Sequence, residues 1–131
     1  MCSSDLPFVG NVDGVRLLSA GAEPAEQFLR SLDCFLYRTD PAWTEPWGRV
    51  VAEAMSCGLP VVCERRGGYT EFIEDGVDGF LFDTSAEALV ILRRLRNDPA
   101  LRVRVGAAAR DRMLSLHSRE ATAERIAYYL R

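Results

Sequence analysis

The chain has 131 residues, 48% of them hydrophobic and 27% charged, which is one domain of ordinary size with enough apolar material for a core. Its net charge of −3, with arginines spread along the whole length, excludes the basic face of a nucleic-acid binder. All 16 basic residues are arginine, so chemistry that needs a lysine ammonium must draw it from outside this chain.

Residues 1–14 show neither strand nor helix pattern and are read as an irregular tail. Within it, "CSSDL" at 2–6 is also what the end of a common sequencing adapter encodes in one frame. Two readings stand: read-through at 2–6, with the chain beginning inside a longer gene, or an ordinary polar tail. Residues 15–18, "VRLL", are a short strand candidate, and "EPAEQFLRSL" at 23–32 has helical spacing with Pro24 in a first turn. "CFLY" at 34–37 is the next strand, followed by a loop rich in turn formers. A helix from about residue 47, with Val50, Val51, Ala54 and Met55 on one face, ends at Gly58 and leads into a buried strand, "LPVVC". "ERRGG" is a loop, "YTEFIED" a short helix, "GVDG" a turn and "FLF" a last strand. From Ser85 the chain is helical over 85–97, 99–116 and 118–131, with Ser118 as an N-cap. Short strands separated by single helices predict an α/β fold, a partial doubly wound parallel sheet with carboxyl-terminal helices spanning residues 15–131.

In such sheets ligands bind beyond the carboxyl ends of the strands. The loops there are 38–47 and 64–69. Pro46 suits a first helical turn, so Trp47, Gly48 and Arg49 would offer backbone amides and the positive end of the helix dipole to an anion such as a phosphate. Glu45 lies just outside that end and Glu53 about 9 Å further along. A sugar-diphosphate-ribose has comparable length, so one ligand would meet an acid at its hexose, amides at its phosphates and an acid at its ribose diol. The plainer alternatives are a helix-start acid at Glu45 and a solvated Glu53, which projects away from the apolar face. Gly67 and Gly68 form a second helix-entry turn able to face phosphate or sugar, or simply a turn. Arg65 and Arg66 either reach the phosphates or are solvated. Trp43 and Trp47 either stack on a base or sugar or pack at the rim, and His117, far from these loops in sequence, is read as structural. The cysteines Cys2, Cys34, Cys57 and Cys63 form no CxxC pair and read as free thiols of a reducing compartment. With polar first residues and no apolar run long enough to span a membrane, a cytoplasmic protein is expected.

"EPWGRVVAEAMSCGLPVV" followed by "GGYTEFIEDGVDGFLF" resembles the donor-binding, carboxyl-terminal half of retaining glycosyltransferases of the two-Rossmann-domain (GT-B) type. That family includes glycogen synthases, sucrose synthases and many bacterial lipopolysaccharide and mannosyl transferases. The E-x7-E spacing, the glycine three after the first glutamate and the GG-x-x-E-x-I-x-D-G tail occur in register; Trp47 stands where the family commonly has Phe.

The resemblance implies retaining transfer of a hexose from a nucleoside-diphosphate donor to an acceptor hydroxyl, with no metal and no cofactor. It places Glu45 at the donor hexose as the catalytic-centre residue, orienting the sugar rather than attacking it, and Glu53 at the ribose. Trp47, Gly48 and Arg49 would meet hexose and phosphates, with Gly67 and Gly68 beside them. The family's Arg/Lys-bearing strands and acceptor domain are not in this sequence, so the isolated chain is expected to transfer no sugar. The acceptor, a glycan, lipid or small molecule, is not named by these residues, and any peripheral membrane contact would come through that other domain. Two alternatives stand beside this: a related epimerase or phosphorylase of the same fold, or a non-catalytic nucleotide-binding fragment.

Overall fold

The computed structural model describes residues 13–130. In chain order these form α1 (Ala25–Arg30), β1 (Phe35–Tyr37), α2 (Arg49–Ser56), β2 (Val61–Glu64), a 3-10 turn (Gly68–Glu71), β3 (Phe80–Phe82), α3 (Ser85–Asn97), α4 (Pro99–His117) and α5 (Arg119–Tyr129). The sheet is parallel with order β1-β2-β3, Tyr37 lying opposite Cys63 and Cys63 opposite Leu81.

β2 is central and buried on both sides, as its run of apolar residues requires. Val61 and Cys63 face a core built with Val51, Ala54 and Met55 of α2, Tyr69, and Ala109 and Met113 of α4. Val62 faces a second core with Phe80 and Phe82 of β3, Leu95 of α3, and Leu101 and Val105 of α4. Each fully buried Val, Leu or Met contributes about 1.5–3 kcal/mol. α4 therefore ties the two layers together. It passes the end of α2 at a glycine pair: a Cβ on Gly106 would stand 2.1 Å from the Gly58 carbonyl oxygen.

Local chemistry sets the boundaries. α2 ends in a Schellman arrangement, with Gly58 at φ +77° and the Gly58 and Leu59 amides donating to Met55 and Ala54. Thr84 and Glu87 form a capping box at α3, Asp98 caps α4 ahead of Pro99, and Ser118 accepts the Ala121 amide at the start of α5, as its sequence position predicted. Along the outer edge of β3, Asp75 accepts the Leu81 amide and Glu87 accepts the Asp83 amide.

Several expectations are corrected. Val15–Leu18 forms no strand: among the described residues no strand pairs with it, and Val15 and Leu17 are exposed. α1 begins only after Pro24, and β2 begins after Pro60, a residue with no amide to donate. The segment after Gly67 is a single 3-10 turn rather than a helix to Asp75. Residues 1–12 of the expected tail, Cys2 among them, and the last residue of the expected terminal helix lie outside the described residues. No helix among the described residues is long and apolar enough to cross a membrane.

Candidate functional site

The loops after β1 and β2 meet beyond the carboxyl ends of the strands. The Gly68 amide donates to the Glu45 carbonyl at 2.9 Å, locking one loop on the other. Tyr69, fully buried, fills the space beneath and donates its hydroxyl to the Arg66 carbonyl. Two of the loop glycines, Gly48 and Gly67, are explained by this contact. A Cβ on Gly48 would come 2.7 Å from the Tyr69 ring, and one on Gly67 would come 2.9 Å from both that ring and the Glu45 carbonyl oxygen. Gly48 also has φ +86°, in the left-handed region where a side chain is strained.

α2 begins at Arg49, two residues later than the apolar pattern predicts, so Trp47 and Gly48 precede the first turn. Their amides both donate to Glu45 Oε1, at 3.4 and 3.1 Å. The other carboxylate oxygen, Oε2, accepts a hydrogen bond from the Tyr37 hydroxyl at 3.2 Å. Glu45 therefore sits at the positive end of α2, its charge favoured by the helix dipole. The amides of Arg49 and Val50 have no intrahelical acceptor, as at any helix start.

Glu53 is on the exposed face of α2, one turn beyond Arg49, and the two are ion-paired at 3.4 Å. It lines a cavity of about 570 Å³ between α1 and α2, with Leu29, Trp47, Arg49, Ala52 and His117 around it. Trp47 packs against Phe72, ring centroids 5.9 Å apart, and against His117 at 5.7 Å, edge to face. His117 closes α4 and so reaches this cavity from the far end of the chain. No local signal in the sequence marks it, because its proximity comes only from α4 packing on α2.

The structure thus gathers Glu45, Trp47, Gly48, Gly67 and Gly68 into one loop pair, and Trp47, Arg49 and Glu53 onto one cavity wall. It does not aim Arg65 or Arg66 at that cavity. Arg65 is held between Asp75 at 2.6 Å and Asp83 at 3.3 Å, which raises its pKa, and Arg66 donates to the Pro41 carbonyl. Trp43 is half exposed on the loop after β1. Sequence reasoning also missed Tyr37, whose position at the end of β1 brings its hydroxyl back to Glu45 across eight residues.

A parallel sheet with its loops paired beyond the carboxyl ends and a cavity at a helix start is the ligand-binding arrangement of an open α/β fold. The chain belongs to the family described as glycosyl transferases group 1, whose model matches residues 10–112. It is similar to a sucrose synthase of Acidithiobacillus caldus, 41% identical over 92 residues, covering 66% of this chain and 12% of the relative. A sulfoquinovosyl transferase of Arabidopsis thaliana is 37% identical over 120 residues, covering 88% of this chain and 21% of the relative. Among solved structures, Anabaena HepE in complex with UDP-glucose is 30% identical with a TM-score of 0.68, over 79% of this chain and 29% of that one. A sucrose-phosphate synthase of Thermosynechococcus elongatus is 28% identical with a TM-score of 0.65, over 79% of this chain and 26% of that one. The chain therefore spans between an eighth and a third of the length of the proteins it resembles.

Proposed function

We propose that this chain is the donor-binding domain of a cytoplasmic, retaining glycosyltransferase that takes a hexose from a nucleoside-diphosphate donor and gives it to an acceptor hydroxyl. The observation that carries the reading is the shared cavity wall of Trp47, Arg49 and Glu53, with Glu45 held at the adjacent helix start. The cavity has a volume of about 570 Å³, and Glu53 on its wall would accept hydrogen bonds from a ribose diol. The solved neighbour with UDP-glucose supports the class of donor.

In this reading Glu53 binds, and Glu45 orients the hexose through its hydroxyls. Arg49 meets the donor phosphates, and Gly48, Gly67 and Gly68 let the two loops approach closely enough to form the floor beneath them. The first-turn amides of α2 and the helix dipole favour the charge that grows on the departing nucleoside diphosphate. The cation that completes this stabilisation, and the acceptor site, come from parts of the enzyme outside these residues. No metal or cofactor takes part in the proposed transfer.

Calorimetry of the 131-residue chain against nucleoside diphosphates and their hexose esters tests the reading. Saturable binding of one such donor, without transfer to water or to an added alcohol, is the expected result. An absence of binding to every member of the panel would sink it.

A further inference from the structure

Tyr37 ends β1 at the carboxyl edge of the sheet, and its hydroxyl is the partner of Glu45 Oε2 at 3.2 Å. The opposite oxygen of the same carboxylate is taken by the amides of Trp47 and Gly48. One carboxylate is thus gripped from two sides by two different elements. We propose that Tyr37 is a positioning residue for the sugar-handling step, its phenol fixing the plane of the Glu45 carboxylate so that a free lone pair faces the donor hexose. The assignment rests on the role given to Glu45 above.

The helix start needs only Oε1, which already satisfies both amides. Held by that oxygen alone, the carboxylate would still turn about its last torsion, which is broad for glutamate. The phenol removes that freedom. It can do so because its own ring is fixed: stacked beside Phe35 at 6.1 Å and edge-on to Tyr69 at 5.6 Å and 85°. Tyr69 in turn is the ring against which Gly48 and Gly67 are pressed, so the phenol and the two loops share one support. Burial and the hydrogen bond to Glu45 both raise the Tyr37 pKa, so the hydroxyl keeps its proton at neutral pH.

A purely structural tyrosine and a positioning tyrosine differ in one measurable respect. Loss of the hydroxyl from a structural residue weakens nucleotide and nucleotide-sugar alike, or lowers the melting temperature with no selective effect. Loss from a positioning residue removes only the part of affinity that the hexose adds.

The test uses the 131-residue chain and a panel of UDP, ADP and GDP with their glucose and mannose esters, taking the ester that binds tightest and its parent diphosphate. Binding of both is measured by calorimetry for the parent chain, Tyr37→Phe, Glu45→Gln and the double variant. Tyr37→Phe is expected to hold the free diphosphate within twofold, while its preference for the sugar ester falls about threefold to tenfold. The double variant should lose no more preference than Glu45→Gln alone, because both changes remove one unit. An unchanged preference in Tyr37→Phe, an equal loss for both ligands, or additive losses in the double variant would each overturn the proposal. A parent chain that binds diphosphate and sugar ester equally, or neither, would remove the role of Glu45 itself, a result visible before any variant is made.

Discussion

Gly68 lies so close to Pro46 that a Cβ on the glycine would stand 2.0 Å from the proline carbonyl oxygen. The neighbouring Trp47 Cα would be 2.9 Å away, so the obstruction is backbone on both counts and cannot swing aside. Gly68→Ala is expected to force the two loops apart and to cost about 3 kcal/mol or more, at the upper end for overpacking. Thermal denaturation would show the loss. A melting temperature within two degrees of the parent would mean that the loops are not locked as described.

Glu53 and Glu45 should respond in opposite ways to truncation. The Arg49–Glu53 pair is exposed and worth only about 0.2–0.5 kcal/mol to the fold. Glu53→Ala should therefore melt like the parent, yet lose about tenfold or more in affinity for diphosphate and sugar ester together, at roughly 1.5–3 kcal/mol per charge-assisted hydrogen bond. Glu45→Ala strips the start of α2 of its acceptor and should lose about 0.5–2 kcal/mol of stability. Its free-diphosphate affinity should stay near that of the parent. Nucleotide affinity within twofold of the parent in Glu53→Ala would make Glu53 an ordinary solvated glutamate.

Asp78 is buried, 4% exposed, in the turn before β3, where its Oδ1 accepts the Glu74 amide. Burial raises its pKa above the ordinary 3.8, against the opposing pull of that hydrogen bond and of Arg112; the Glu74 charge adds to the rise. The folded chain then binds this proton more tightly than the unfolded one, so the contribution of Asp78 to stability falls as pH rises from 3.8 through the raised folded value. Asp78→Asn keeps an acceptor for the Glu74 amide and removes the titration. The variant is expected to gain on the parent as pH rises from 4 to 7 in urea denaturation. A gap that moves the other way would show that Arg112 outweighs burial.

Two of the three cysteines in the described residues, Cys57 and Cys63, should separate by reactivity. Cys63 is fully buried in β2 and its thiol pKa is pushed up by burial, while Cys57 is half-buried at the end of α2 and lines the cavity. Iodoacetamide should modify Cys57 in the native chain and reach Cys63 at least about a hundredfold more slowly, through opening of the core. Peptide mass spectrometry after timed quenching would read both rates. Equal labelling would place β2 at an exposed position and contradict the fold.

The elements with a strong period and a strong stop were legible from residues alone. Val51, Ala54 and Met55 mark the buried face of α2, Gly58 ends it, and Ser118 announces the last helix, while the caps at Thr84 and Asp98 emerge only in the structure. "VRLL" misled because a strand exists only by pairing, and a partner is not written in the strand's own residues. At the site, the motif located Glu45, Glu53 and the glycines. It did not show that Glu45 would take the amides of Trp47 and Gly48, since that depends on the left-handed turn at Gly48, set by Tyr69 twenty-one residues on. Tyr37 was invisible for a related reason, since its contact with Glu45 comes from where β1 ends in space, and His117, read as structural, reaches the cavity only because α4 ends there.

The carboxylates of Asp75 and Glu87 along β3 have a consequence for how the sheet can be extended. They occupy the outward-facing amides of Leu81 and Asp83, which any strand arriving on that flank would need. At the opposite flank Phe35 and Tyr37 turn toward β2, and Leu36 points its backbone outward with its side chain half exposed. The sheet consequently has a polarity of growth. A further strand, whether from another stretch of polypeptide or from a neighbouring molecule, has one address, beside Leu36, and a carboxylate fence turns it away everywhere else.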